Sequence, residues 1–271
     1  MFQIKYLHGL WGMPLPTLEA NLRRIREGGF EGVEMGVPAD GGERRELGIL
    51  LGRLGLALIA QQWTRGFSAQ EHADSFEEQY RRGAGLRPLL VNSHTGKDYF
   101  TKEENLLVFR RARELEEELG VPVVHEVHRG RATFSTTSTA ALLEQLPDLR
   151  LAADFSHWCC VHESLLEDQE QLLERAIARS FHIHARVGHP EGPQVSDPRA
   201  PEWQPALETH LGWWQKIVDF RRQEGAQLLT ICPEFGPPDY MPTLPYTRQP
   251  VVDLWQVNCH MKNLLQKRLR V

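Results

Sequence analysis

Residues 121–131 read VPVVHEVHRGR, five ionisable side chains packed directly behind a β-branched apolar run. Whether this stretch is helix or strand decides the fold. As a helix it would suggest zinc binding, but His-Glu-x-x-His spacing needs its histidines four apart, and His125 and His128 are three apart. Val121, Val123 and Val124 favour a strand. On a strand side chains alternate, so Glu126 and His128 share one face while His125 and Val127 take the other.

Working outward, the same pattern recurs along the chain. Apolar runs at 2–9, 30–36, 56–63, 88–96, 149–158, 180–188 and 228–236 join it to make eight, and amphipathic or loop-like stretches separate them. Helical spacing is carried by Leu18, Leu22 and Ile25, then by Leu47, Leu50, Leu51 and Leu54. Ser68 with Glu71, and Thr101 with Glu104, match the capping box that opens a helix. A last amphipathic stretch covers about 250–269. Eight strand-like runs alternating with helices predict a (β/α)8 TIM barrel in which residues 1–271 form a single domain. An open doubly wound sheet would carry a glycine-rich phosphate turn after the first strand, and HGLWGMP does not supply one. Residues 187–205 break the rhythm with five prolines and no periodicity, predicting a long structureless loop that acts as a lid after strand seven.

Composition narrows the function. The 271 residues are 41% hydrophobic and 25% charged with a net charge of −5, ordinary for a globular protein and without the basic excess of a nucleic-acid binder. Cys159, Cys160, Cys232 and Cys259 form no CxxC pair, so a reduced, cytoplasmic protein is expected. No signal peptide or membrane-spanning run is found, and no membrane partner is expected. Homo-oligomerisation is left open.

In a TIM barrel the chemistry gathers at the C-terminal strand ends. Parity there points Glu126, Asp154, His184 and Glu234 into the mouth from strands five to eight. Three carboxylates and an imidazole repel one another unless a cation neutralises them. Mixed oxygen and nitrogen donors suit one divalent ion, Mn²⁺, Mg²⁺, Co²⁺ or Zn²⁺. His182 lies a layer deeper and reads as a hydrogen-bonded core histidine. His94 and His8 end strands four and one, where they could be ligands, substrate contacts or structural hydrogen-bonders. Arg186 faces the same way as His184 and is a candidate anion contact. Arg129 and Arg131 either bind an anion or pair with nearby acids. Trp11, Trp63 and Trp158 stand where aromatic walls for a sugar would sit or where the core packs; Trp213 and Trp214 read as packing.

Glu126, DFSH at 154–157, HIH at 182–184 and PEFG at 233–236 together resemble the xylose isomerase-like TIM barrels of sugar isomerases and epimerases, and are similar to the ketose 3-epimerases. The likeness spans nearly the whole chain in strand and motif order. It implies that Glu126, Asp154, His184 and Glu234 hold the metal, that Glu126 and Glu234 transfer protons, and that His157 contacts substrate. Where that family often has Glu-Pro-x-Asn-Arg, this chain has Glu-Val-His-Arg. His94, His128, Arg129 and Arg186 complete the expected substrate-binding set. The implied activity is isomerisation or epimerisation of a small carbohydrate through a metal-stabilised enediolate. The alternatives are a dehydratase using the same site, and an endonuclease-IV-like phosphodiesterase whose extra ions would draft Glu34, His94 and His128.

Overall fold

The computed structural model describes residues 2–270 and forms a closed barrel of eight parallel strands in the order β1 to β8. The strands are β1 (Gln3–Gly9), β2 (Gly32–Gly36), β3 (Ala57–Trp63), β4 (Leu90–His94), β5 (Val123–Glu126), β6 (Leu151–Ala153), β7 (Ser180–His184) and β8 (Leu228–Cys232). Closure comes from β1 pairing with β8, Gln3 opposite Leu228 and Tyr6 opposite Ile231. The helices are α1 (Leu18–Glu27), α2 (Gly41–Leu54), α3 (Ala69–Ala84), α4 (Lys102–Leu119), α5 (Thr136–Gln145), α6 (Ser156–Val161), α7 (Glu170–Ala178), α8 (Gln204–Gln223) and α9 (Leu254–Arg268).

Local signals set the helix ends. Both expected capping boxes form at α3 and α4, and Ser135 with Ser138 makes another at α5. Such a cap is worth about 1 kcal/mol, because side-chain oxygens satisfy amides that the helix leaves unpaired. The apolar face of each helix then packs on the outside of the barrel. Leu22 and Ile25 of α1, Leu47 and Leu50 of α2, and Trp214, Ile217 and Val218 of α8 all belong to that buried layer. Inside the barrel, Leu7, Ile59, Leu90, Val124 and Ala152 make a separate apolar plug below the mouth. Polar side chains one layer higher therefore rest on a dry floor.

Two expectations need correction. The apolar run at 149–158 is not one strand, because β6 ends at Ala153 and the chain turns at once into α6. The Asp154 amide donates to the Ala152 carbonyl at 3.1 Å and the His157 amide to the Asp154 carbonyl at 3.3 Å, bonds that curl the backbone out of the sheet. Residues 187–205 are also not structureless. Val195 is buried and its amide donates to the Val187 carbonyl at 2.9 Å. The side chain of Gln194 pairs with the Gly236 backbone twice, at 2.7 and 3.2 Å, tying this segment to the β8 loop. Pro201–Trp203 form a 3-10 turn and α8 already begins at Gln204.

Candidate active site

Each strand end contributes through its own register. His182 lies opposite Thr230 and His184 opposite Cys232, and a register shift between Leu151 and Ala152 sets Ala152 against His182. Glu126 ends β5, Asp154 follows β6, and Glu234 follows β8 beyond Pro233. Glu126, Asp154, His184 and Glu234 are all buried, and each offers a donor atom within 4.8 Å of the others. The expected set thus converges.

Electrostatics explains what this convergence demands. Burial opposes the charge of Glu126, yet His94 and His184 hold its carboxyl well below the usual range. Burial dominates at Asp154 and raises it to about 6, with Arg186 pulling the other way and Glu234 adding repulsion. Burial alone would lower His184, but the carboxylates of Glu234, Glu34 and Glu126 raise it well above the ordinary imidazole value. Such a cluster is short of positive charge.

The donor chemistry fits a divalent ion. His184 Nδ1 is buried without a hydrogen bond, although it lies 2.8 Å from a Glu234 oxygen and 3.6 Å from one of Glu126. A ring nitrogen turned toward converging carboxylates is placed as a metal ligand is. Three carboxylate oxygens and an imidazole nitrogen are a donor set that a hard or borderline divalent ion accepts.

Other expected residues are placed differently from one another. His94 lines the cavity above the cluster, its Nε2 2.9 Å from a Glu126 oxygen. His128 also lines it, beyond the end of β5, with Nε2 3.3 Å from the Tyr240 hydroxyl. Arg186 lines the cavity too, but its guanidinium is already paired with Asp154 and lies 3.3 Å from Glu234. Its Nη1 is left without a partner. His157 is fully buried, with its Nε2 3.1 Å from Arg186 Nη2 and its ring tilted against that of His128 at 3.9 Å between centroids. Arg129 is exposed and lies over the Tyr240 ring at 5.2 Å. Arg131 donates to the carbonyls of Thr64 and Gly96, which leaves it a structural residue. His8 is buried against Phe30 and Trp255 away from the cluster. His182 is the buried hydrogen-bonded histidine expected, and Trp158, Trp213 and Trp214 are core.

The mouth itself is a cavity of about 470 Å³. Its far wall is Leu10, Trp11, Met35, Gln61 and Trp63, with Tyr240 closing the side above Arg186. Two residues lie beneath it: Glu34, expected only as an extra ligand in the nuclease alternative, and Asn92, which is not among the expected residues. Glu34 on β2 reaches His184 across the barrel, and Asn92 on β4 donates to both Glu34 and Glu126, at 2.8 and 2.7 Å. Strand parity could have found Asn92, because it shares a face with His94. Tyr240 comes from an aperiodic loop and had no signal.

No family model matches the chain, and no curated protein sequence matches it. Solved structures do. A xylose isomerase domain protein from Alicyclobacillus acidocaldarius superposes with a TM-score of 0.64 at 15% identity, covering 98% of each chain. The apo form of 3-keto-D-glucoside 4-epimerase from E. coli gives a TM-score of 0.63 at 13% identity, over 98% of this chain and 100% of that one. The probable 3-DHS dehydratase AsbF, involved in petrobactin synthesis in Bacillus anthracis, gives 0.61 at 14% identity over 97% and 99%. Both of the latter are named as enzymes. By its closed barrel and these full-length superpositions, the chain has the fold of the xylose isomerase-like TIM barrels.

Proposed function

We propose that this protein is a divalent-metal-dependent isomerase or epimerase of a small sugar or keto-sugar. The observation that carries the reading is the convergence of Glu126, Asp154, His184 and Glu234 at the floor of the mouth. When bound there, a divalent ion would supply Lewis-acid polarisation of a carbonyl and its neighbouring hydroxyl, lowering the cost of an enediolate. The residues do the rest. Glu126 and Glu234 both line the cavity and are the acid–base pair for moving a proton at the carbon beside the carbonyl. Glu126 is held ionised by His94 and His184, so the form that accepts a proton is present. Arg186 lines the cavity, and its unpartnered but buried Nη1 would reach a substrate oxygen after a small side-chain shift, while His94 and His128 stand at hydroxyl-contacting positions on the rim. Trp11 and Trp63 offer ring faces to the apolar side of a sugar.

Metal analysis of purified protein, followed by assay against ketoses and keto-glycosides in deuterated buffer, tests this reading. One bound ion per chain and deuterium appearing at a single substrate carbon are expected. A dehydrated product would make the protein a lyase acting through the same site. Three ions per chain with phosphodiester cleavage would replace the proposal by the nuclease reading.

A further inference from the structure

Beneath the four proposed ligands lies a second layer that does not line the mouth cavity. Glu34 is its centre. It is only 2% exposed, in the middle of β2, yet no arginine or lysine among the described residues pairs with it. Its partners are two imidazoles, an amide and the Cys232 thiol. Oε1 and Oε2 lie 3.0 and 3.1 Å from His184 Nε2, Oε2 lies 3.0 Å from His182 Nε2, and Oε1 accepts from Asn92 at 2.8 Å. An ionised carboxyl can only accept, so His184 must carry a proton on Nε2. With the Nε2 proton committed to Glu34, Nδ1 is the nitrogen left to take a metal ion, which would displace any proton held there, and Nδ1 is the atom that faces Glu126 and Glu234.

The layer is braced from both sides. His182 Nδ1 is anchored 2.7 Å from the Thr230 hydroxyl, which keeps the His182 ring turned toward Glu34. Asn92 spends its other hydrogen on Glu126 at 2.7 Å, so one amide ties Glu34 to a proposed ligand on a different strand. Burying a carboxylate is costly, and Glu34 is offset here only by imidazoles, an amide and a thiol, with no lysine or arginine among the described residues. Where imidazoles bind metals, the nitrogen away from the ion usually donates to a carboxylate, which fixes ring orientation and raises ligand basicity.

Resting on the metal-site reading above, we propose that Glu34 is a positioning residue that completes a carboxylate–histidine–metal chain. It holds His184 in the Nε2–H tautomer, presents Nδ1 to the ion, and transmits that order to Glu126 through Asn92.

The test is titration of metal-free protein with Co²⁺, followed by calorimetry and by the visible absorption of the bound ion. Wild type should bind one equivalent. Glu34→Gln has the same shape and keeps hydrogen-bonding capacity but lacks the charge. It should bind Co²⁺ about 10–100-fold more weakly and shift the absorption band, while its metal-free melting temperature stays near wild type. Unchanged affinity and spectrum in a folded Glu34→Gln protein would overturn the proposal and leave the metal site standing. Absence of binding by wild type would instead remove the metal-site reading, and this inference with it. Nitrogen-15 NMR of Zn²⁺-loaded wild type checks the tautomer without any variant. A proton on His184 Nε2 is expected, and one on Nδ1 would overturn the assignment.

Discussion

From β5 to β8 the barrel mouth presents Glu126, Asp154, His184, Arg186 and Glu234, whereas from β1 to β3 it presents Leu10, Trp11, Met35, Gln61 and Trp63. The first half is charged, buried and bound at nearly every polar atom. The second is largely apolar, with Trp11 43% and Trp63 40% exposed. The charged half can hold an ion and move protons because its side chains are fixed by one another. The apolar half can only shape and desolvate what enters. Glu34 is the exception that joins them, an acid on β2 whose contacts all lead across the barrel. Reaction and recognition are therefore expected to separate by mutation along this line.

The sharpest separation should come from the proposed acid–base pair. Glu126→Gln and Glu234→Gln are nearly isosteric and retain an oxygen donor, so each should keep some bound metal and can be assayed at saturating ion. Proton exchange at the substrate carbon should fall by about 10²–10⁴-fold, the range for removing a general acid or base. Deuterium exchange at the wild-type rate in either variant would remove that residue from the assignment.

Acid sensitivity should track the rigid, buried regions. Burial lowers His8 and His210 to about 4, so both are neutral in the folded protein at pH 7. His210 uses that state, donating from Nδ1 to the Ala206 carbonyl at 2.8 Å and accepting the Gly188 amide at Nε2 at 3.2 Å. An unfolded histidine titrates near 6.5. Between pH 6.5 and 4 the unfolded chain thus binds the extra proton, and stability falls as pH falls through that window. For His210 the loss approaches about 3 kcal/mol at the acid end. Urea unfolding across the window should show a shallower slope in His210→Gln than in wild type, and equal slopes would refute the account.

Packing tells the same story at Gly188. A Cβ there would lie 2.6 Å from the Ser156 carbonyl oxygen and 2.7 Å from its Cα, backbone atoms that cannot swing away. Ser156 in turn donates to Asp154, so the clash reaches the charged half directly. Gly188→Ala should cost about 1–3 kcal/mol and lower metal affinity as well. Gly212→Ala makes the control: a Cβ meets nothing within 4 Å, and the position is inside α8. It should be neutral or stabilising by up to about 1 kcal/mol, read from the same melting curves.

The charged half was largely legible in the sequence, and the apolar half was not. A run such as VPVVHE announces a strand by its β-branched residues and a function by the acid that ends it, and alternation then sets the side. Convergence of Glu126, Asp154, His184 and Glu234 follows from counting strands. What alternation cannot supply is pairing across the barrel. Glu34 sits within FEGVEMG with nothing nearby to announce His182 and His184 as its partners, more than 140 residues on. Nor does a strand pattern tell where a strand stops, which is why the turn at Asp154 and the burial of His157 were missed. At 187–205 the prolines announce a loop but not its packing, because the hydrogen bonds that hold this segment come from Gln194 and Gly236, far apart in sequence.

The smallest expected effect belongs to the apolar wall. Trp63 ends β3 with its backbone clamped to Gln79, whose amide donates to the Trp63 carbonyl at 2.8 Å. The ring itself is unclamped. It rests 5.4 Å from the His94 ring and has 40% of its surface open. Removing it therefore leaves the strand in place and touches no proposed ligand. Aromatic contacts of this kind are worth about 0.5–1.5 kcal/mol beyond area, so Trp63→Ala should raise KM about threefold to tenfold. Turnover should change less, because Glu126 and Glu234 keep their surroundings, and Co²⁺ affinity should not change. His94 complicates the picture usefully: having lost its neighbouring ring, it is freer to leave Glu126 at 2.9 Å. A double variant, Trp63→Ala with His94→Gln, separates the two roles. If the ring acts only as a wall, its effect on KM persists unchanged in the His94→Gln background. A loss of turnover in Trp63→Ala that disappears in the double variant would mean that the wall also orders the base, and the line drawn between the two halves of the mouth would have to move.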